Sequence, residues 1–467
     1  RDDVESRGLG DVYKRQIQMI HMSGFRWLTP GLKLKRWLVV FGIGMLLVIV
    51  GVALMLNYQW LSYFEDLFLQ VLYETTGSYN YTTLATGGFI TILIGIVLMT
   101  IGTKQVGSAV VRAIIPADTD KVGDYIFQNI RMAKGPKVVV IGGGTGLSTL
   151  LRGLKTHTSN LTAIVTVADD GGSSGRLRED FQMIAPGDLR NCLVALAEKE
   201  GLMEQLFRYR FGGEGDLAGH SFGNLFLTAL TQILDEDVDK ALDASSKILK
   251  VRGRVIPAST QNIVLMAEME DGSIVAGESQ IPTVQKRIKR VFTEPALPQP
   301  QGAALQAIDE ADAIILGPGS LYTSIMPNLL IDKIAEHIKA SKAPKLYICN
   351  VMTQPGETDG FTAADHVAAL QKMAGLGIVD TAIVNDVPFD DAVIEKYKAV
   401  GAEPVKVDTD KLASLGVRTV RAGLIQHPET AVHDSERLGK IVMDVIYAMQ
   451  SGLEPHILEY YLKREDR

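Results

Sequence analysis

Residues 137–146 read KVVVIGGGTG, and the fold of the chain turns on them. Four consecutive apolar residues, Val138 to Ile141, have the length and β-branched character of a buried strand, and the glycines end the run abruptly. Beyond the glycines, Leu147, Leu150, Leu151 and Leu154 recur at helical spacing. Residues 161–167 (LTAIVTV) form the next β-rich run. A strand, a glycine loop, a helix and a second strand in this order make a parallel βαβ unit. The expected fold class is therefore α/β, with a doubly wound, mostly parallel sheet. Further strands are expected at 313–316, 346–351 and 381–384. Residues 262–280 alternate around Asp271-Gly272, which predicts an antiparallel hairpin added to the sheet.

At 467 residues the chain is too long for one typical domain. Its charged fraction of 22% and hydrophobic fraction of 46% are ordinary, yet mean hydropathy is +0.13, so an apolar excess is concentrated somewhere. A net charge of −7 lacks the basic footprint of a nucleic-acid binder, and no nucleic-acid partner is expected. Cys192 and Cys349 stand far apart among apolar residues. That argues against a disulfide framework or zinc site and predicts two buried, inert thiols in a reducing compartment.

The apolar excess lies near the N-terminus. Residues 37–56 (WLVVFGIGMLLVIVGVALML) and 84–102 (LATGGFITILIGIVLMTIG) carry no charge. About 20 apolar residues as helix cross a bilayer core ~30 Å thick, so both runs are expected to span a membrane. Arg26, Lys33, Lys35 and Arg36 precede the first, and Lys104 and Arg112 follow the second. The loop 57–83 holds Glu65, Asp66 and Glu74 and no Lys or Arg. The positive-inside rule then puts both termini in the cytoplasm of an inner-membrane protein. Tyr58, Trp60, Tyr63, Phe64, Phe68 and Tyr73 suit a loop lying at the headgroup zone. The expected organisation is a polar, disordered leader (1–36), two membrane helices (37–102), a linker (103–135) and an α/β domain (136–467).

In open α/β sheets, ligands bind beyond the carboxyl ends of the strands. Gly142, Gly143, Gly144, Thr145 and Gly146 occupy that position after the first strand, where a helix N-terminus offers free N–H groups to a phosphate. The run is neither a Walker A loop nor a strict G-x-G-x-x-G, and a tight strand-to-helix turn is the structural alternative. After the second strand come Asp169-Asp170-Gly171-Gly172-Ser173-Ser174-Gly175-Arg176. Asp169 and Asp170 suit ribose hydroxyls or Mg²⁺, Gly171 and Ser173 a phosphate nest, and Arg176 and Arg178 supply charge. A solvated turn is the alternative.

Asp188 and Asn191 lie in PGDLRN, a helix start with Asp188 as a natural N-cap. His220, Ser221 and Asn224 cluster before an apolar helix; His220 reads as an acid–base or ligand-binding group, or else as packing. Gly317, Gly319 and Ser320 follow the 313–316 strand. Asn350 and Gln354 follow the 346–351 strand as donors for a base or sugar, whereas Glu357 and Asp359 read equally well as solvated turn residues. Lys286, Arg287, Lys289 and Arg290 read as an exposed helix face, with phosphate or membrane contact as the alternative. No nucleophile–base pair is apparent from spacing.

Six stretches, GGGTGLSTLLRGLK, TVADDGGSSGRLR, PGDLRNCLVALA, GHSFGNLFLTAL, LGPGSLYTSIMPNLL and CNVMTQPGETDG, resemble in order the pattern of the bacterial gluconeogenesis factor family (YvcK-like) over residues 137–450. That family is related to the 2-phospho-L-lactate transferases (CofD-like). The resemblance implies a Rossmann-like fold that binds a UDP-sugar such as UDP-N-acetylglucosamine, supports cell shape and envelope synthesis, and serves growth on gluconeogenic carbon. It implies a regulator more than an enzyme, with a Mg²⁺-dependent transferase as the alternative. It carries the ligand role to Gly143, Gly144, Thr145, Asp169, Asp170, His220, Asn224, Gly319, Ser320 and Asn350, and a metal role to Asp169 and Asp170. Cell-wall synthesis or cell-shape proteins are the expected partners and a homo-oligomer the expected state. The two apolar helices stand outside the shared region.

Overall fold

Val138–Gly142 (β1) is buried at every position and lies inside the seven-stranded main sheet of the computed structural model. It pairs in parallel with Leu161–Val165 (β2) on one side, Val138 opposite Leu161. On the other it pairs with Ala313–Leu316 (β7), Val138 opposite Ala313. Arg254–Pro257 (β3) continues the sheet beyond β2. Lys345–Ile348 (β8), Thr381–Asn385 (β9) and Arg418–Ala422 (β10) continue it beyond β7. The order β10-β9-β8-β7-β1-β2-β3 is wholly parallel, and helices between the strands cover it, the Rossmann-like arrangement expected. Such a sheet is apolar on both faces, which explains runs such as VVVI and AIIL.

The structure describes residues 34–56, 81–114, 130–198, 201–425 and 431–452, with isolated positions between them. The chain forms two compact units, Arg1–Gln128 and Asn129–Arg467.

The hairpin around Asp271-Gly272 forms, but in a sheet of its own. Val264–Met269 (β4) pairs antiparallel with Ile274–Ala276 (β5) and with Ile288–Glu294 (β6). The basic run at 286–290 thus passes from irregular chain into the start of β6, not into a helix. A bulge at Glu268/Met269 sets two successive residues, Lys289 and Arg290, against one carboxylate, and both ion-pair with Glu268 at 2.6 Å. Lys286 pairs with Asp271. Alternation of β-branched residues with charge was the overlooked signal.

In the first unit, Leu34–Leu56 (α1) and Tyr81–Ile114 (α2) are helices packed side by side. Gly44 faces Gly95 so closely that a Cβ on either would fall 2.7 Å from the other's carbonyl oxygen. Gly51 meets Gly88 and Ile92, and Gly102 meets Phe41. These matched pairs run in opposite directions, so the helices are antiparallel. Small residues at the seam permit close backbone packing. Leu46, Ile49, Phe89 and Val97 face outward, each roughly half exposed.

Within α2, Ala85–Gly107 is long and apolar enough to cross a membrane. The described apolar stretch of α1, Trp37–Ala53, is shorter, so one of the two expected spans reaches that length. The expected linker begins as helix, because residues 103–114 continue α2 without a breaker. Residues 1–33, with Arg26 and Lys33, lie outside the described residues, as do most of 57–80 and residues 115–129.

Both cysteines are buried as expected, and burial pushes the Cys349 thiol up to about 12 and Cys192 well above its ordinary value.

Candidate functional site

From β1 the sheet grows outward in both directions, so the strand order reverses between β1 and β7. A crevice opens at such a point beyond the strand ends. The loop 143–146 rims it on one side and 317–320 on the other. Gly144–Leu154 (α3) starts directly in the first loop. Gly144 has φ +66°, a conformation that favours glycine. Gly146 lets the two loops touch, since a Cβ there would fall 2.6 Å from the Pro318 carbonyl oxygen.

A cleft of about 660 Å³ lies at this point, a volume suited to a small-molecule ligand. Gly143, Gly144, Thr145, Gly146, Asp188, Asn191, Gly319, Ser320, Asn350 and Gln354 all line it. Ser324, Met352, Thr353, Tyr397, Val432 and His433 complete the wall. Asn350 Nδ2 donates to the Gly319 carbonyl at 2.9 Å, and Gln354 Nε2 donates to Ser320 Oγ at 2.6 Å. Among the described residues, Gln354 Oε1 and His433 Nε2 of the lining are covered and have no hydrogen-bond partner. Burial holds the His433 imidazole down at about 4, so it is neutral at physiological pH.

Carboxylates gather at one end. Asp188 lies in the first turn of Pro186–Leu196 (α5), which Ala185 caps; Asp188 is therefore not the N-cap expected. Instead its Oδ2 accepts the Gly144 N–H at 2.7 Å, occupying one free donor of α3 and leaving the amides of Thr145 and Gly146. Burial, then the nearby Asp169, raise Asp188 to about 6. Glu278, from the loop after β5, is raised to about 8 by burial and by Asp169, Asp188, Asp170 and Glu357. Glu357 is buried, not solvated as expected: it accepts from Thr323 Oγ1 and the Tyr322 N–H, and burial lifts it to about 7.

Asp169 and Asp170 point to different backbone donors. Asp169 Oδ1 accepts the Gly171 N–H at 2.9 Å, and Asp170 Oδ1 accepts the Ser279 N–H at 2.8 Å. The described residues contain no preassembled shell of three metal-ligating side chains.

Ser173, Arg176, His220, Ser221 and Asn224 form a second cluster, outside the cleft lining. Ser173 is at the start of Gly172–Phe181 (α4), and Asn224 in the first turn of Phe222–Ile233 (α6). Asn224 Nδ2 donates to Ser173 Oγ at 3.1 Å, and Ser173 Oγ lies 3.0 Å from His220 Nδ1. Burial, then Arg176, hold His220 below its ordinary value. Arg176 Nη2 donates to the Ala218 carbonyl. Ser221 caps α6, accepting the Asn224 N–H at 3.2 Å. Ser221→Ala should therefore lower stability by about 1 kcal/mol, read as a shift of the urea midpoint at constant slope.

The profile of 2-phospho-L-lactate transferase CofD matches residues 138–425. A putative gluconeogenesis factor of Nostoc sp. is 44% identical over 425 residues, 90% of this chain and 92% of its own. The gluconeogenesis factor of Bacillus subtilis is 49% identical, covering 68% of this chain and 99% of its own. The chain belongs to the gluconeogenesis factor family, within the CofD-like group. A crystal structure of a UPF0052 family protein from Bacillus halodurans superimposes with a TM-score of 0.64 at 53% identity, covering 66% of this chain and 99% of that one. The Nostoc alignment is longer than the Asn129–Arg467 unit and so reaches into the helical one. The gluconeogenesis factor family thus includes relatives matched over nearly the whole of this chain and relatives matched over about two thirds of it.

Proposed function

We propose that this gluconeogenesis factor is a membrane-anchored sensor of a UDP-sugar, UDP-N-acetylglucosamine being the favoured ligand. One observation carries the reading: the cleft at the β1/β7 crossover joins two glycine-rimmed strand ends, a helix N-terminus and a polar–aromatic wall. The remaining α3 amides suit a diphosphate. Asn191, Asn350, Gln354 and His433 suit hydroxyl, amide or base groups, and Tyr397 gives an apolar face for a ring. In this reading α1 and α2 form a two-helix anchor with both termini cytoplasmic, which concentrates the domain near envelope-synthesis partners and supports cell shape and gluconeogenic growth.

Calorimetric titration of the full chain in detergent with UDP-N-acetylglucosamine should give saturable heat. Gln354→Ala and Asn191→Ala should each weaken binding by about tenfold, the worth of a hydrogen bond of ~1.4 kcal/mol. Absence of heat from the wild type would sink the ligand; unchanged heat from both variants would sink the site. Proteolysis of right-side-out vesicles tests the anchor, for which cleavage of the α/β domain is the adverse result.

The carboxylate group favours a second reading, a Mg²⁺-dependent transferase of nucleotide-diphosphate-linked substrates. Mg²⁺ uses one or two carboxylates, keeps waters and shares ligands with phosphates, so a complete protein shell is not required. Asp169, Asp170, Asp188 and Glu278 are the residues to hold it, and the ion would neutralise charge on a diphosphate. Release of UDP or UMP in the presence of Mg²⁺, lost in Asp169→Asn, is the result that would favour this reading.

A further inference from the structure

Arg190 lies in α5, two residues beyond Asp188, and is only 7% exposed. Among the described residues its guanidinium has no hydrogen bond and no ion pair, and its Nε is fully covered. Packing holds the side chain instead. Gly223, at the start of α6, lies against Arg190 Cγ and Cδ, and the Phe207 carbonyl abuts the same glycine. Phe207 is itself locked, with Phe222 and Phe226 edge-on at 5.8 and 5.0 Å. The rotamer is thus set in advance, and no protein acceptor is supplied.

The surrounding charge sharpens the contrast. Arg208 and Arg210 lie close enough to push the guanidinium below its ordinary range, behind burial as the main cause, while Asp188 and Asp169 act in the opposite sense from beyond ion-pair distance. Arg208 pairs with Glu204 at 2.8 Å, and Arg210 Nη1 donates to the Gly219 carbonyl at 2.9 Å. Arg178, equally buried, does have an acceptor in the Ala168 carbonyl. A buried unpaired cation is strongly unfavourable and is normally removed or paired. A guanidinium matches phosphate through two parallel N–H donors.

We propose that Arg190, with Arg208 and Arg210 beside it, is the fork of an anion subsite for a second, phosphate-bearing ligand, separate from the nucleotide-sugar cleft. None of the three arginines lines that cleft, so the proposal stands without the UDP-sugar reading. Leu206 and Tyr209 flank them with exposed apolar surface, which admits either a soluble phosphate ester or a lipid headgroup.

The test uses the full chain in phosphatidylcholine nanodiscs with inorganic phosphate as the probe. Phosphate should raise the wild-type unfolding temperature saturably, and Arg190→Met should weaken that response by at least about tenfold. In phosphate-free buffer Arg190→Met should unfold at a higher temperature than wild type, because the unpaired charge is gone. Arg190→Lys, which keeps charge but not the fork, should retain a response weakened several-fold. No phosphate response in the wild type, or an undiminished response in Arg190→Met or Arg190→Lys, overturns the proposal. Adding phosphatidic acid to the nanodiscs separates the sources: competition with free phosphate identifies a headgroup, and its absence a soluble ester.

Discussion

Gly153→Ala should cost the α/β domain roughly 3 kcal/mol, far more than a surface glycine replacement. Gly153 is in the last turn of α3, where it crosses Ser435–Gln450 (α7) backbone to backbone. A Cβ on Gly153 would collide with the Ser435 carbonyl oxygen and meet the Gly439 Cα at 3.0 Å; one on Gly439 would meet the Gly153 carbonyl carbon at 2.5 Å. Neither wall is a flexible side chain, so the helices must part. Both lead into the cleft: α3 begins at the glycine loop, and Ala431, Val432 and His433 precede α7. The variant should therefore lose ligand affinity as well as stability. Gly302→Ala is the control, since nothing lies within 4 Å of its added methyl. Urea unfolding decides the matter; equal midpoints for the two variants would refute the crossing contact.

The second large effect is a pH dependence centred on Glu278. Its folded-state value of about 8 is raised from an ordinary 4.5, so the folded protein disfavours the charged form. Stability is then retained below the ordinary value and lost as pH rises from 4.5 through 8. Asp188, raised to about 6, and Glu357, raised to about 7, act in the same direction. Glu278→Gln should stabilise the ligand-free protein at pH 8 by roughly 2–3 kcal/mol, and the gain should shrink toward zero near pH 4.5. Unfolding free energies of both proteins across this range are the measurement. A gain that is constant with pH would exclude titration of Glu278 as the cause.

The parallel sheet was legible because its strands are buried on both faces: VVVI, LTAIV and AIIL announce themselves by composition. Ligand-rimming glycines were legible because their position after a strand restricts what they can do. The basic strand β6 was misread because charge obscured a two-residue alternation, and the bulge broke even that. Asp188 was misplaced because N-cap preference says nothing of a long-range acceptor role toward Gly144.

Tyr397 and His433 had no local signal at all. They reach the cleft from elements distant in sequence, and only the packing of α7 and the 391–398 helix brings them there. Arg190 carries no mark of its own inside PGDLRN, since burial without a partner is a property of three-dimensional surroundings alone. The short apolar stretch of α1 and the glycine seam with α2 show the converse. A hydropathy run gives length, whereas the matched pairs Gly44–Gly95 and Gly51–Gly88 give the pairing.

The placement of β1 between β2 and β7 has a consequence for how the molecule is made. Val138 finds Leu161 soon after it on the nascent chain, but its other neighbour, Ala313, emerges only after most of two helical layers and the small antiparallel sheet. Until then β1 carries an open edge in the middle of the future domain, and closing it requires a long loop to be ordered first. The seam where the 143–146 and 317–320 loops meet therefore forms only once β7 has been made. Ligand contacts that need both loops thus become available only after β1 has found β7.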